Sequence, residues 1–130
     1  MISDRVGDFI IRLKNAGAIG QESITLPHSN HLEAIAKKLK ELGFVADVSV
    51  SKKDPKQLEV ALAYDAQGNH KINDVKRISK PGRRLYAGAK DAHNVKNGAG
   101  ARILSTPKGI LSDAEARKVR AGGETLFEVW

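Results

Sequence analysis

The residues best suited to chemistry lie in one short segment, Ser105–Ser112, which runs Ser-Thr-Pro-Lys-Gly-Ile-Leu-Ser. It contains hydroxyls, one ammonium and a glycine backbone, and it stands between a predicted strand and a predicted helix. Backbone N–H groups at a helix N-terminus point outward, and the helix dipole favours anions there. The segment could therefore hold a phosphate or the edge of an unpaired base. An ordinary turn followed by a good helix cap has the same pattern, so this alternative stays open.

A basic hairpin is the second candidate, over Lys76–Tyr86, with a Pro-Gly turn and an aromatic residue at its end. Structured RNA is recognised by shape, by backbone contacts and by stacking of bases on aromatic or guanidinium planes. Tyr86 could provide such a platform, with Arg84 beside it. The alternative is that Tyr86 is a half-buried strand residue and that the arginines form a solvated strand edge.

No constellation for catalysis or for metal binding emerges from the sequence. His28 and His31 are three residues apart, but no further ligand has an obvious relationship to them. The glycines at 98 and 100 lead into a predicted strand where a dinucleotide site needs a helix, and no phosphate-binding-loop lysine motif exists. The chain has no cysteine, which excludes a disulfide, a thiolate metal site and a cysteine nucleophile. We expect neither an enzyme nor a bound cofactor.

The charge is distributed unevenly along the 130 residues. Residues 1–65 contain nine basic and nine acidic side chains, whereas residues 66–130 contain thirteen basic and six acidic ones and therefore carry the whole net charge of +7. Such a field attracts a polyanion, and side chains that neutralise phosphates gain free energy by releasing counterions. The alternative is that the charge only keeps a small protein soluble. Neither a secretory signal nor a membrane-spanning stretch is apparent, so we expect a cytoplasmic protein.

Two helices are predicted in the first half of the chain. The first is capped by Ser3, runs to about Asn15 and is broken by Gly17. The second opens at Asn30, which forms a capping-box pattern with Glu33. Helical spacing divides the second helix into two faces: Leu32, Ile35, Ala36, Leu39 and Leu42 inward, and Lys37, Lys38 and Lys40 outward, before Gly43 ends it.

Short strands make up most of the remainder. They are predicted at Ser23–Leu26, Phe44–Ser51, Gln57–Tyr64, Lys71–Ser79, Arg83–Tyr86, Ala101–Ser105 and Thr125–Trp130. One helix in the second half opens at a capping box of Ser112 and Glu115, runs to about Arg120 and is ended by Gly122–Gly123. The turn Asp65–Asn69 is the predicted boundary between modules of residues 1–66 and 67–130. The expected fold class is α+β, with an N-terminal α-β-α-β-β module and a C-terminal, mostly antiparallel β module with one short helix.

Taken in order, these segments resemble the family of small-ribosomal-subunit protein eight, in its bacterial form. The resemblance covers essentially the whole chain. Its most specific marks are three motifs, Arg77-x-Ser79-Lys80-Pro81-Gly82-x-Arg84-x-Tyr86, Ser105-Thr106-x-Lys108-Gly109 and Gly122-Gly123-Glu124.

The resemblance implies a two-module α+β protein that binds an irregular stem in the central domain of small-subunit ribosomal RNA early in assembly and helps organise the platform. Family members also neighbour small-subunit proteins five and twelve, and some repress their own messenger RNA. Tyr86 would support or stack on the RNA, and Glu124 would accept hydrogen bonds there. The other implied contacts are Ser105, Thr106, Lys108, Gly109, Arg84 and Lys80.

The chain departs from the family pattern at several positions. Pro107 stands where serine is usual, which removes one hydroxyl and one backbone donor from the loop. Asn30 and Leu32 stand where lysines are frequent, so Asp4, Ser29 and Asn30 are expected to be weak secondary contacts only. Two other functions remain open: a free-standing RNA or DNA regulator, and an enzyme that acts on a phosphorylated substrate through Lys108, which would need an acid, base or metal nearby.

Overall fold

The computed structural model describes residues 5–51, 56–79, 84–87 and 100–130. These residues form three helices and eight strands, so the predicted α+β class is confirmed. The elements are α1 (Arg5–Ala18), β1 (Ser23–Pro27), α2 (Asn30–Glu41), β2 (Val45–Val50), β3 (Gln57–Leu62), β4 (Val75–Arg77), β5 (Tyr86–Ala87), β6 (Ala101–Thr106), β7 (Gly109–Ser112), α3 (Asp113–Val119) and β8 (Gly123–Val129). None of the helices in the described ranges is long and apolar enough to span a membrane.

The chain divides into two compact units, and the boundary between them lies between Asn73 and Asp74. One unit is Asp8–Asn73, and the other holds residues 74–130 with residues 5–7. This boundary lies after the predicted boundary at residues 66–67. The reason is that the turn folds back on the strand before it, since Tyr64 forms a β-bridge with His70 and the backbone N–H of Lys71 donates to Ala63.

The Asp8–Asn73 unit is built on a three-stranded antiparallel sheet in the order β1-β3-β2. Side chains alternate along β3, where Leu58, Val60 and Leu62 are buried while Glu59 is exposed. The helices supply an apolar stripe at helical spacing that is also buried: Phe9, Ile10 and Leu13 from α1, and Leu32, Ile35, Ala36 and Leu39 from α2. The core of this unit therefore holds the apolar residues that periodicity assigns to it.

Helix α1 does not break at Gly17 as the sequence predicts, but continues to Ala18. A β-carbon on Gly17 would lie 1.7 Å from Nδ1 of His70, so the missing side chain makes room for an imidazole ring. The close approach of His70 therefore explains the glycine at position 17 inside the helix. The residues around Gly17 in the sequence do not reveal this contact.

The ends of α2 also differ in detail from the prediction. Its N-cap is Ser29, whose hydroxyl accepts a hydrogen bond from the N–H of Leu32 at 3.1 Å, and Asn30 is the first helical residue. Lys38 is not outward but buried, with 9% of its surface exposed, and its ammonium reaches Glu41 at 2.7 Å. Long lysine stems often cover apolar surface in this way. Leu42 is not an inward residue, because it is the exposed C-cap of the helix.

The unit that contains residues 74–130 is built around β8, the strand richest in buried side chains. Its five-stranded sheet has the order β4-β8-β6-β7, and β5 also pairs with β8. Every pairing in this sheet is antiparallel. Because β8 pairs with three strands, residues far apart in sequence become direct neighbours on it.

Helix α3 begins with the predicted capping box. The Ser112 hydroxyl accepts from the N–H of Glu115, and the Glu115 carboxylate accepts from the N–H of Ser112. The helix ends at Val119, close to the predicted end at about Arg120. The residue in the left-handed terminal conformation is Arg120, at φ 55°, and not one of the glycines Gly122–Gly123. Gly123 instead opens β8.

Candidate nucleic-acid interface

Three of the predicted binding residues lie side by side across three strands. Tyr86 of β5 is the direct partner of Glu124 on β8, and Glu124 is in turn the direct partner of Ser105 on β6. Direct partners in an antiparallel pair project their side chains from the same face of the sheet. We call Tyr86, Glu124 and Ser105 the cross-strand row. The sheet thus places one residue from each of the three sequence motifs side by side on one face.

Glu124 is the fixed centre of this row. Its carboxylate accepts a hydrogen bond from the hydroxyl of Ser79 at 2.5 Å and another from Nη1 of Arg84 at 2.9 Å. Burial by itself would raise the pKa of Glu124, but these two hydrogen bonds and the positive charges of Arg84 and Arg77 lower it below its usual value. The carboxylate is therefore ionised at neutral pH, and its oxygens are available only as acceptors.

Ser79 holds this arrangement together, although sequence reasoning assigned it no place in the site. It is fully buried, and its hydroxyl accepts from the N–H of Leu85 at 3.2 Å while it donates to Glu124. Backbone bonds reinforce the link, since the N–H of Ser79 donates to Thr125 and the N–H of Thr125 donates to Leu85. The only signal in the sequence was the serine of the Arg77–Tyr86 motif. The hairpin predicted for this motif is wrong, because the described strands β4 and β5 both pair with β8 and not with each other.

Tyr86 is open to solvent, with 72% of its surface exposed. The alternative that it is a half-buried strand residue is therefore wrong. Arg84 and Leu85, which precede it, are exposed as well. An exposed aromatic ring beside a guanidinium is the arrangement on which unpaired bases stack.

The segment after Ser105 is a tight hairpin between β6 and β7. Thr106 pairs with Gly109, so Pro107 and Lys108 form the tip. The Thr106 hydroxyl donates to the carbonyl oxygen of Gly109 at 2.8 Å and accepts from the N–H of Lys108 at 3.1 Å. Gly109 has a φ of 115°, a conformation that side chains with a β-carbon rarely adopt. The side chain of Thr106 thus closes the turn, which needs no backbone N–H at Pro107.

This hairpin is not a helix N-terminal site, contrary to the prediction. Strand β7 stands between the turn and α3, which begins only at Asp113. The first N–H groups of α3 are served by the capping box of Ser112 and Glu115. All four residues of β7 pair with β6, and Ile110 and Leu111 have the side chains that favour a strand. The serine-rich composition of the segment led to the prediction of a turn instead.

Gly123 sets the distance between the strands that carry the row. A β-carbon at this position would lie 2.0 Å from the carbonyl oxygen of Ser105 and 3.0 Å from Cα of Thr106. No side chain fits there without moving β6 away from β8. The sequence analysis gave Gly123 a role as a helix terminator and a place in a family motif, but not this packing role, because a close approach between two strands leaves no local signal.

The remaining predicted contacts are not part of the row. Ser29 and Asn30 lie at the start of α2 in the Asp8–Asn73 unit, where the Ser29 hydroxyl caps the helix. Lys80 and Asp4 lie outside the described residues. His28 contacts Glu33 at 2.7 Å, and the described part of the chain holds no group of three metal-ligating side chains.

Comparisons with known proteins agree along the whole chain. The model of the family described as Ribosomal protein S8 matches residues 4–130. The small ribosomal subunit protein uS8 of Persephonella marina is 43% identical over 136 residues, and that of Nautilia profundicola is 40% identical over 131 residues. Both alignments cover 100% of this chain and 100% of the relative. The uS8 protein of Helicobacter pylori is 40% identical over the same full span.

Proposed function

Since the chain belongs to the ribosomal protein S8 family, we propose that it is a primary ribosomal-RNA-binding protein, which binds a stem in the central domain of small-subunit RNA. In this role it helps organise the platform during assembly. Its relatives are small ribosomal subunit proteins and not enzymes. In bacteria such proteins belong to the cytoplasm, where the ribosome assembles.

The cross-strand row is the observation that supports this proposal most strongly. It offers an exposed ring at Tyr86, an ionised acceptor at Glu124 and a hydroxyl at Ser105, all on one face of the sheet. Irregular RNA presents unstacked bases and 2′-hydroxyls, which such groups recognise by stacking and by hydrogen bonds. Because strands position side chains more exactly than loops do, the row can discriminate one RNA shape from another.

The β6–β7 turn would supply the phosphate contact next to the row. Lys108 stands at its exposed tip, two residues beyond Thr106 and directly before Gly109. The net charge of +7 attracts the RNA from a distance, whereas the short polar groups provide the specificity. Arg84, with Lys80 in the same sequence motif, would add to this attraction. Asp4, Ser29 and Asn30 remain proposed as weaker contacts.

The family resemblance supports further proposals about partners. Small-subunit proteins five and twelve would be neighbours, and a similar stem in the chain's own messenger RNA would bind to the same surface. The alternative function is a free-standing translational regulator that uses this surface without a ribosome. Cosedimentation with small subunits after a high-salt wash separates the two, because a regulator would be lost from the subunit fraction.

The central test is binding of the central-domain stem and of an unrelated duplex at several salt concentrations. Ser105→Ala should weaken binding of the stem about tenfold, the effect of one lost hydrogen bond of about 1.4 kcal/mol. Binding of the unrelated duplex should change little. The matched control is Ser49→Ala, which removes an exposed strand hydroxyl from β2 in the other unit. Equal losses for both RNAs on Ser105→Ala would contradict specific recognition by the row.

A further inference from the structure

Arg120 has an unusual backbone conformation for its residue type. It is the one non-glycine residue of the described chain with a positive φ, at φ 55° and ψ 45°. The reason is the way α3 ends: the N–H of Ala121 donates to the carbonyl of Ala116 at 3.0 Å, and the N–H of Arg120 donates to that of Arg117 at 3.4 Å. This pair of bonds closes a helix through a left-handed residue, which is usually glycine.

An arginine at this position is not explained by the fold. Its β-carbon is strained in the left-handed region, and glycine would relieve that strain. Its side chain is exposed, and no hydrogen bond or ion pair of the guanidinium occurs within the described ranges. A strained residue without an internal role is a candidate for an external one.

The surroundings of Arg120 are basic and lie next to the RNA-facing turn. The ammonium of Lys108 lies 3.4 Å from the carbonyl oxygen of Val119, so the tip of the β6–β7 turn reaches the last turn of α3. Lys118, which precedes Val119, is exposed to solvent. We call Lys108, Lys118 and Arg120 the α3 ridge.

The acidic side chains of α3 are engaged within the fold and do not neutralise this ridge. Asp113 is buried and accepts from Arg117 at 3.2 Å and from the N–H of Arg102 at 3.1 Å. Glu115 belongs to the capping box at the opposite end of the helix. The end of α3 is therefore a positively charged surface that continues from Lys108.

We propose that the α3 ridge binds the phosphate backbone of the RNA and that Arg120 is the phosphate ligand for which the strained conformation is retained. A guanidinium offers a planar pair of N–H donors that fits two phosphate oxygens. Phosphate contacts position a protein without reading sequence. The ridge thus supplies affinity while the cross-strand row supplies specificity. This inference rests on the proposed RNA-binding function and extends its surface to α3.

The test uses a substitution whose effects on folding and on binding have opposite signs. Arg120→Gly relieves the strain, so the melting temperature should rise by about 2–5 °C. It also removes the phosphate ligand, so RNA affinity should fall about three- to tenfold at moderate salt, and the slope of log K against log salt should shrink by about 1. The loss should be equal for the central-domain stem and for an unrelated duplex. Arg120→Asn should act like Arg120→Gly, whereas Arg120→Lys should keep most of the slope.

Lys40→Gln is the charge-matched control. Lys40 lies on α2 in the other unit, where its ammonium is 2.9 Å from Asp47. Lys40→Gln should leave the slope of log K against log salt unchanged. An equal decrease of this slope in Lys40→Gln and Arg120→Gly would show that only net charge matters, and would overturn the inference. Unchanged affinity and slope in Arg120→Gly overturn it as well. If the wild-type protein binds both RNAs equally, the proposed specific function fails, while the slope still decides the role of Arg120. If it binds neither RNA, both fail.

Discussion

The hydroxyl of Ser79 and the carboxylate of Glu124 are joined by a hydrogen bond of 2.5 Å. The two residues are 45 positions apart, and the bond fixes the rotamer of the central side chain of the cross-strand row. The same hydroxyl accepts a hydrogen bond from the N–H of Leu85, the residue that precedes Tyr86. One buried serine therefore orients both the acceptor and the aromatic platform.

Replacing this serine should affect stability and the acidity of its partner together. Ser79→Ala removes the acceptor of the part-buried hydrogen bond from the N–H of Leu85 and the donor to Glu124, so the free energy of unfolding should fall by about 1–2 kcal/mol. It also removes a hydrogen bond that lowers the pKa of Glu124, so this pKa should rise. Denaturant unfolding measures the first effect, and NMR titration of the Glu124 carboxyl measures the second. An unchanged pKa would mean that Arg84 and Arg77 lower it without help from the serine.

The close approach at Gly123 predicts a second effect. Gly123→Ala places a methyl group where the Ser105 carbonyl oxygen now lies, so β6 and β8 must separate. We expect a loss of about 1–3 kcal/mol, as for other overpacked sites, together with weaker binding of the RNA stem.

Gly43→Ala is the control for this substitution. Gly43 has a φ of 87° and open space around it, so alanine there strains only the backbone after α2. It should destabilise the fold and leave RNA binding by the folded protein unchanged. If Gly123→Ala binds the stem as tightly as the wild type, the spacing of the two strands is not part of recognition.

The exposed ring of Tyr86 allows its binding role to be separated from folding. Tyr86→Leu should leave the melting temperature nearly unchanged, because most of the side chain lies in solvent. Affinity for the stem should fall by a factor corresponding to about 1–3 kcal/mol, the range found for one base stacked on an aromatic ring. Tyr86→Phe keeps the ring and should keep most of the affinity. Normal binding by Tyr86→Leu would exclude stacking.

The buried imidazole of His70 predicts a pH dependence of stability. Both ring nitrogens are buried, with no hydrogen-bond partner among the described residues, and burial lowers the pKa of His70 below its usual 6.5. The unfolded chain takes up the proton near pH 6.5, whereas the folded chain does so only at lower pH. Protonation of His70 should therefore leave the free energy of unfolding unaffected at pH 7.5. It should lower this free energy as the pH drops below about 6.5.

Comparison with His70→Leu isolates this contribution. Other titrating groups are common to both proteins, so the difference in unfolding free energy between them should change from pH 7.5 to pH 5 in favour of the variant. Thermal or denaturant unfolding across this range measures it. A constant difference would show that the imidazole binds its proton equally well in the folded and the unfolded chain.

Much of the fold could be predicted because its signals are local. Apolar spacing and turn residues located α1, α2 and the described strands other than β7, and the side chains of Ser112 and Glu115 located the start of α3. Each of these features depends on residues within a few positions of one another. The order of three motifs identified the family, and the charge asymmetry pointed to a polyanion, and both can be read along the chain without knowing which segments meet.

The errors at Gly17 and Gly123 share one cause, which is that segments distant in sequence come into contact. Gly17 is helical because His70 lies against it, and Gly123 is a strand residue because Ser105 approaches it. Lys38 is buried although its neighbours in sequence suggested an outward face. The serine-rich turn became a hairpin because β6 offered Ile110 and Leu111 a partner strand.

The family, the α+β class, the basic character of the second half and most residues of the proposed surface could be read from the order of amino acids. The cross-strand row of Tyr86, Glu124 and Ser105, its orientation by Ser79 and the strain at Arg120 became visible only in the folded chain. The physical reason is that hydrogen-bond pairing between strands is set by register across the whole sheet, and no local preference encodes which distant residue becomes the partner.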